Sequence, residues 1–323
     1  MKEWKSEKIN GKIPMEFCNS ELLWIVFYNF FIINSFILLI INWGVFMKIL
    51  IVGLGVIGGS FAMALKAAGY EDVYGIDNNL STLSKAEELG IIKKGYVDAG
   101  EIVGAADLII LAIYPMLIKR FIEKNRNLFK SGAIVTDTTG IKKLFIDDIL
   151  NILPPGIDFI FGHPMAGREK RGIDYASKEV FRGANYLITV TDKNKEENIK
   201  ILEDIIYDMG FKRIKRIDPI FHDKMIGFTS QLPHAIAVAL INSDEEDRDT
   251  GSFIGDSYRD LTRIANINED LWSELFIGNK DNLIESIDNF INEINYIKSA
   301  LVESDEKRLK ELFIKSSKRR EKL

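Results

Sequence analysis

The sequence predicts an α/β protein in which a doubly wound parallel sheet is followed by an all-α domain. Apolar runs of strand length alternate with helical segments from residue 47 to residue 217, which favours parallel strands joined by right-handed crossovers. The first run ends in a glycine-rich turn. From Asp218 onward the apolar residues recur at helical spacing instead. We therefore expect two domains, over residues 47–217 and 218–323.

The strands of the predicted sheet are continuous apolar runs, as expected for strands that are buried on both faces. They read KILIVGLG, DVYGID, ADLIILAI, GAIVTDT, DFIFGHP and NYLITVT. The helices between them have recognisable ends, since Gly69 closes VIGGSFAMALKAAG and Pro115 opens a later helix. NLSTLSKAEELG is a further capped helix.

The second domain is predicted to be helical almost throughout and to dimerise. Pro219 stands at the first turn of a long apolar-periodic segment, PIFHDKMIGFTSQLPHAIAVALIN. A helical half this apolar requires a partner surface. We therefore expect intertwined helices that form a homodimer.

Composition excludes several classes of function. The chain has 323 residues and a net charge of −5, without a block of Lys and Arg, which argues against a nucleic-acid partner. Its one cysteine is Cys18, so the chain from Met47 onward offers no disulfide, no thiolate nucleophile and no cysteine-ligated metal. We expect no metal site. Any histidine chemistry must use His163, His222 or His234.

Residues 1–46 precede the first predicted strand and include an uncharged apolar run from Leu22 to Phe46. A run of more than about 20 such residues is a transmembrane candidate. An anchor here would lie only a few residues before a strand that is central to the sheet. We therefore favour translation that starts at Met47 and a cytoplasmic protein, with membrane anchoring as the alternative if the leader is retained.

The glycine-rich turn has the pattern G-x-G-x-x-G in Gly53, Gly55 and Gly58. It follows a predicted strand and opens a predicted helix, which is the context that the dinucleotide-binding fingerprint of Rossmann-type sheets requires. Gly53 permits the tight turn, Gly55 lets the backbone approach a pyrophosphate, and Gly58 lets helix and strand pack closely. A glycine-rich turn without a ligand, or a flavin site, is the alternative.

The cofactor that the neighbouring residues favour is NAD. A pyrophosphate would face the free N–H groups of the helix N-terminus, where Val56 and Ile57 lie. Asp77 ends the second predicted strand, the position that the fingerprint gives to an acidic residue. Its carboxylate can accept both hydroxyls of a ribose and would repel a 2′-phosphate, which favours NAD over NADP.

The segment FGHPMAGREKRG contains the best candidate for a catalytic base. His163 follows the carboxyl end of a predicted strand, where ligands bind in open α/β sheets. An alcohol that loses hydride needs a base for its hydroxyl proton, and neutral imidazole has a suitable pKa. A purely structural histidine is the alternative.

The helical half offers a second histidine and two arginines. His234, in SQLPHAIAVAL, faces apolar neighbours, so a core role and a ligand role are equally open. Arg259 and Arg263 are four residues apart, which places them on one face of a helix. They can pair with Asp256 and Asp260, or clamp carboxylates by bidentate hydrogen bonds.

Together these segments resemble the prephenate dehydrogenases of the TyrA family. The matching segments are GLGVIGGS, GID, TDTTGIK, GHPMAGREKRG, FHDKMIGFTSQLPHAIAVAL and SYRDLTRIANINEDLW, in the family's order. The resemblance implies an NAD-dependent oxidation of prephenate at ring carbon C4. The ring carboxylate would leave as carbon dioxide, giving 4-hydroxyphenylpyruvate for tyrosine biosynthesis.

The resemblance also implies roles for individual residues. His163 matches the histidine that bonds the substrate's 4-hydroxyl group and takes its proton. His234 matches a substrate-positioning histidine, Arg263 matches an arginine that binds substrate carboxylate, and Arg259 is a second candidate for that contact. Glu169 lies in the segment that shapes the pocket.

Two positions depart from the family pattern. The serine that often bridges the catalytic histidine and the substrate hydroxyl is replaced here by Gly140. We expect a threonine, with Thr139 as the candidate, or a water molecule to take its place. Gln231 replaces a histidine of the common motif SHLPH, which removes a titratable group and can affect which substrate side chain is accepted.

Three other functions stay open at this point. An arogenate dehydrogenase acts on the same ring, with an amino group in place of the keto group. Another Rossmann-type dehydrogenase with a helical second domain, of the 3-hydroxyacid or pyrroline-carboxylate class, would lack HPMAG joined to RDLTRIA. A non-catalytic NAD-sensing protein, tethered to a membrane through residues 22–46, would bind the cofactor without turnover.

Overall fold

The structure is a computed structural model that describes residues 47–167 and 170–322, and of Glu101 the backbone only. The predictions for the leader 1–46 and for Glu169 lie outside the described residues. Eight strands form one sheet in the order β3-β2-β1-β4-β5-β6-β7-β8. The strands are β1 (Ile49–Val52), β2 (Val73–Ile76), β3 (Lys94–Tyr96), β4 (Leu108–Leu111), β5 (Ile134–Asp137), β6 (Asp158–Pro164), β7 (Asn185–Thr189) and β8 (Arg213–Ile217).

The centre of the sheet is covered on both faces, as the continuous apolar runs predict. All four residues of β1 are buried, and so are all four of β4. Side chains of a strand alternate between the two faces, so Ile49 and Ile51 contribute to one apolar core while Leu50 and Val52 contribute to the other. The two cores place β1 and its following turn in the middle of the fold.

Six helices lie in the described part of the sheet half, and the sequence marks some of their ends. The side chain of Asn79 accepts hydrogen bonds from the N–H groups of Ser81 and Thr82, which satisfies two donors at a helix start. Gly69 follows the first helix with a φ of 95°. The helices are α1 (Val56–Ala67), α2 (Leu80–Glu88), α3 (Gly100–Ala105), α4 (Pro115–Asn125), α5 (Ile146–Ile152) and α6 (Glu196–Asp208).

The sheet is mostly parallel, and it differs from the predicted parallel sheet at β7, which runs antiparallel to β6. Parallel neighbours need a crossover connection, usually an α-helix. The described residues between β6 and β7 form only two short 3-10 turns, Ile173–Tyr175 and Lys178–Val180. The first half of β6 pairs with β5, and its second half, Phe161 to Pro164, pairs with β7. The strand therefore extends past the end of β5.

The rest of the described chain is helical, as predicted. β8 ends at Ile217, and the side chain of Asp218 caps the next helix by accepting from the N–H groups of Ile220 and Phe221. One helix runs from Pro219 to Asn242, and its middle turn, Gly227–Gln231, is π-helical. The helices are α7 (Pro219–Ile226), α8 (Leu232–Asn242), α9 (Asp256–Thr262), α10 (Glu269–Gly278), α11 (Lys280–Val302) and α12 (Glu306–Arg320).

One helix among the described residues, Pro219–Asn242, is long and apolar enough to cross a membrane by length and composition. An interior helix of a soluble protein passes the same test. His222, Asp223 and Gln231 on this helix are buried, and each is hydrogen-bonded to residues outside it. These contacts attach one face of the helix to the rest of the fold, although only 28% of its apolar window is buried.

Candidate active site

The turn after β1 can be built only with glycine at two positions. Gly53 has a φ of 87°, and a Cβ atom there would lie 2.5 Å from the carbonyl oxygen of Ala112. A Cβ atom at Gly58 would overlap the carbonyl oxygen of Gly53. Gly55 has open space where a side chain would be. The backbone around Gly55 is therefore accessible to a ligand, as the fingerprint requires.

The N-terminus of α1 presents donors without a capping side chain. The helix ladder begins with the bond from the N–H of Gly59 to the carbonyl of Gly55, at 2.9 Å. The N–H groups of Val56, Ile57 and Gly58 precede that bond. In the described structure no side chain caps this end and no acidic residue lies in the first turn. Such an end favours an anion, so these residues fit the pyrophosphate of NAD.

Asp77 has a second role that the motif did not predict. One carboxylate oxygen accepts from the N–H of Leu54 at 2.8 Å, and the other accepts from the N–H of Asn79 at 2.9 Å. The side chain therefore fixes the glycine turn from the end of β2. Because each carboxylate oxygen has a second lone pair, both oxygens can still accept a ribose hydroxyl.

His163 lies in the part of β6 that extends past β5, and its two ring nitrogens face different surroundings. Its Nδ1 lies 2.9 Å from Nε2 of His222. A Cβ atom placed on Gly140 would lie 3.7 Å from its Nε2, within ordinary contact. Burial is the largest cause that lowers the pKa of His163 well below its usual range, and the positive charge of Lys142 adds to it. The ring is therefore neutral at neutral pH.

Beside His163 lies a fully buried ion pair. The ammonium of Lys142 donates to the carboxylate of Asp137 at 2.6 Å and to the carbonyl oxygen of Gly162 at 2.7 Å. Burial lowers the pKa of Lys142, and the charge of Asp137 opposes that shift. These bonds hold the loop after β5 against β6 at the residue next to His163.

Thr139 belongs to this interior network, which differs from the expectation that it bridges His163 and a substrate. Its hydroxyl donates to the carboxylate of Asp137, lies 3.0 Å from the carbonyl oxygen of Ile141, and accepts from Lys142 at 3.1 Å. A hydroxyl has one proton to donate, and here Asp137 receives it. Thr139 is therefore a structural partner of the ion pair.

The helical half meets the loop after β5 through α10, and α8 packs against α10 in turn. The ring of His234 stacks on Trp272 with centroids 3.7 Å apart, and its Nδ1 lies 2.8 Å from the carbonyl oxygen of Ser230. Gln231 donates to the carbonyl oxygen of Leu275 at 2.8 Å. A Cβ atom on Gly140 would lie 3.5 Å from the Leu275 side chain. Gly140 is therefore the point where the ring of His163 and α10 come together.

The two arginines do not share a regular α-helix, which corrects the sequence prediction. α9 ends at Thr262, and Arg263 begins a 3-10 turn. The hydroxyl of Thr262 donates to the carbonyl of Tyr258 at 2.7 Å, and such bonds bend helices. Arg259 donates to Asp256 at 2.7 Å, the pairing that the sequence allowed. Both arginines are exposed in this chain.

Three buried polar residues at the site had no assigned role in the sequence. His222, Asp223 and Lys142 are almost completely buried, and they lie behind His163. Only one signal pointed to them, namely that His222 is one of three histidines in the chain. Its partners come from separate segments, so only the folded chain shows them.

Comparisons with known proteins show the family of the chain. A family model described as the prephenate dehydrogenase nucleotide-binding domain matches residues 61–215, and one described as the prephenate dehydrogenase dimerization domain matches residues 218–315. This chain belongs to the prephenate dehydrogenase family. The sheet half is therefore an NAD-binding domain of this family, and the chain is an NAD-dependent oxidoreductase.

Individual relatives cover most of the chain. The prephenate dehydrogenase of Lactococcus lactis is 31% identical and aligns over 85% of this chain and 77% of its own length. A cyclohexadienyl dehydrogenase of Zymomonas mobilis is 28% identical over 85% of this chain and 96% of its own. The crystal structure of Aquifex aeolicus prephenate dehydrogenase with hydroxyphenyl propionate and NAD+ is 32% identical. It superimposes with a TM-score of 0.77 over 85% of this chain and 98% of the other.

Proposed function

We propose that this prephenate dehydrogenase family member converts prephenate to 4-hydroxyphenylpyruvate, with NAD, in tyrosine biosynthesis. The observation that carries the proposal is the placement of His163. Its Nδ1 is held inside the protein by His222, while its Nε2 lies on the side of Gly140, where α10 meets the sheet. A neutral imidazole at this place is a base for the hydroxyl of a bound alcohol.

The sheet half is proposed to hold the cofactor. Gly53, Gly55 and Gly58 form the turn, the N–H groups of Val56 and Ile57 face the pyrophosphate, and Asp77 accepts the ribose hydroxyls. When bound, NAD supplies the acceptor for the hydride that leaves C4 of the substrate. The residues of the chain supply position and proton transfer.

Proton transfer at the ring oxygen falls to His163. As C4 loses hydride, Nε2 of His163 takes the hydroxyl proton and the C4–O bond gains double-bond character. The bond between the ring and its carboxylate then breaks, carbon dioxide leaves, and its electron pair completes the aromatic ring. The oxygen on C4 regains a proton from Nε2, so no net proton is released.

The substrate carries two carboxylates, which require cations. We assign Arg263 to a substrate carboxylate, Arg259 to a second contact after exchange from Asp256, and His234 to positioning against Trp272. Losing one buried arginine–carboxylate contact costs about 2–5 kcal/mol, much of it from the charge left unpaired. Glu169 stays a prediction for the pocket wall.

The helical half is proposed to dimerise, and we place the enzyme in the cytoplasm. α11 and α12 expose large apolar side chains, including Val302 at 78%, Phe313 at 58% and Ile284 at 53%. A second copy of the chain would remove them from water. The match of residues 218–315 to a dimerization domain supports the same assembly.

Substrate identity is tested by mixing the full-length chain with NAD and either prephenate or arogenate, and following NADH absorbance. The proposal predicts rapid NADH formation with prephenate and a lower kcat/KM with arogenate. A higher kcat/KM with arogenate would replace the substrate and keep the reaction type. No turnover with either, together with NAD binding, would favour the non-catalytic alternative.

A further inference from the structure

A buried series of hydrogen bonds continues inward from His163. Nδ1 of His163 lies 2.9 Å from Nε2 of His222, and Nδ1 of His222 lies 2.7 Å from a carboxylate oxygen of Asp223. His222 has no exposed surface and Asp223 is 1% exposed. The series connects β6 to α7. It starts at Nδ1 of His163, whereas Nε2 of the same ring faces Gly140.

Asp223 is held by backbone donors as well as by His222. Its two carboxylate oxygens accept from the backbone N–H groups of Lys142, at 2.9 Å, and Lys143, at 2.8 Å. Hydrogen bonds from backbone donors favour the ionised form of a carboxylate. An ionised carboxylate only accepts hydrogen bonds. Nδ1 of His222 must therefore carry the proton between His222 and Asp223.

The proton on Nδ1 of His222 determines which nitrogen of each ring carries a proton. Neutral imidazole has one N–H and one lone pair, so Nε2 of His222 carries a lone pair and accepts. The donor in the next bond must be Nδ1 of His163. A neutral His163 then has its lone pair on Nε2, the nitrogen beside Gly140.

We propose that His222 is a positioning residue that, backed by Asp223, holds His163 in the Nδ1–H tautomer and stabilises its imidazolium once Nε2 has taken a proton. The proposal rests on the proposed function, because it gives His163 the task of a base. It extends that function by naming the groups that keep the lone pair of the base turned toward the substrate. A carboxylate that orients a catalytic histidine works by the same principle.

The charged groups around the series agree with two neutral rings in the resting protein. Burial lowers the pKa of His222, although the hydrogen bond that its Nδ1 donates to Asp223 opposes the shift, and the positive charge of Lys142 lowers it further. Asp137 faces the same interior from the end of β5 and favours the charged ring. Because burial dominates, the base is ready to accept a proton at neutral pH.

The tautomer can be measured directly, since the chain has three histidines. We would label the full-length protein with 15N in its histidine rings and record long-range proton–nitrogen spectra. Substituting each histidine in turn assigns its signals. The proposal predicts Nδ1–H for both His163 and His222. An Nε2–H tautomer at His163 in the unsubstituted protein would overturn it. Because no substrate is present, this result is independent of whether prephenate is the substrate.

Two variants separate hydrogen bonding from packing. His222→Phe keeps a ring but removes the acceptor, and we expect kcat to fall by about 10- to 100-fold. The acid limb of the kcat/KM profile should move to lower pH, because the lost hydrogen bond stabilised the charged form of His163. His222→Gln keeps a carbonyl acceptor and should recover a large part of kcat. NAD affinity should stay within twofold of the wild type in both.

The matched control is Asn125→Leu, since Asn125 is a buried polar residue whose side chain donates to the carbonyl of Phe121 within its own helix. It should lower stability and leave the pH profile in place. An unchanged kcat and pH profile in a folded His222→Phe would overturn the proposal. The same loss in His222→Gln as in His222→Phe would also overturn it, because the acceptor would then be irrelevant.

Discussion

The nucleotide turn and the histidine site are built in different ways. The turn uses one continuous segment, Gly53 to Gly58, and its function depends on backbone atoms that only glycine exposes. The histidine site uses side chains from β6, the loop after β5, α7 and α10, which are far apart in sequence. A backbone site can be recognised as a string of residues. A side-chain site exists only once buried hydrogen bonds have brought its parts together.

This difference predicts that the two sites fail separately. The turn is anchored by Asp77 and the sheet, whereas His163 is anchored by His222 and the interior pair of Lys142 with Asp137. No residue of one anchoring set appears in the other. Substitutions should therefore divide into those that change cofactor binding and those that change proton transfer.

The largest expected effect is the loss of the base. His163→Asn removes the Nε2 acceptor and should lower kcat by about 10³-fold. The KM for NAD should stay close to that of the wild type. Steady-state rates with saturating prephenate measure the change. A variant that retains more than a tenth of the wild-type kcat would remove His163 from its assigned role.

The next largest effect is expected at the buried ion pair of Lys142 and Asp137, which lies beside His163. Lys142→Met keeps the length of the side chain but leaves Asp137 buried without its partner, so we expect a loss of about 3–5 kcal/mol in the free energy of unfolding. Urea denaturation measures it. The matched control is Lys119→Met, whose ion pair with Asp148 is exposed, and whose unfolding should match the wild type. Equal losses in the two variants would contradict the account.

A smaller effect is expected at the nucleotide turn. Asp77→Asn leaves one acceptor oxygen for two backbone donors and removes the charge, so kcat/KM for NAD should fall by about 10-fold. Discrimination against NADP should fall as well, because the repulsion of a 2′-phosphate is lost. Asp72→Asn, just before the other end of β2, is the control and should leave both values unchanged. If Asp77→Asn lowers kcat but leaves the KM for NAD and the KM for NADP unchanged, the division between the two sites is wrong.

The smallest effect is expected at Gly140. A Cβ atom there meets the Leu275 side chain and the ring of His163 only at ordinary contact distances, so Gly140→Ser fits. Its hydroxyl can bridge Nε2 of His163 and the substrate, and we expect kcat to rise by about threefold, as for one neutral hydrogen bond. Gly140→Ala adds the carbon alone and should not raise kcat. An equal rise in both variants would show that the hydroxyl is not responsible.

The sequence predicted the sheet half well where local patterns are strong. Apolar runs located six strands, Asn79 and Pro115 marked helix starts, and the glycine pattern located the turn. Two strands were missed for a physical reason. β3 has only three residues, none of them buried, and β8 alternates Arg and Lys with Ile on an exposed edge, so neither shows a continuous apolar run.

The site was predictable only in part. His163 follows a readable motif, but the role of Thr139 was misplaced because its hydroxyl is satisfied by Asp137 and Lys142, two contacts that depend on the folded loop. The antiparallel direction of β7 was also missed, because an apolar run shows where a strand lies and not which way it runs beside its neighbour. Buried partners such as His222 carry no sequence pattern of their own.

If cofactor binding and proton transfer are held by independent parts of the fold, loss of the base should leave the affinity for NAD intact. Equilibrium titration of NAD into the wild type and into His163→Asn, without substrate, gives the two dissociation constants. We expect values within twofold of each other, although the variant has lost turnover. A dissociation constant that rises in parallel with the loss of kcat would contradict that independence.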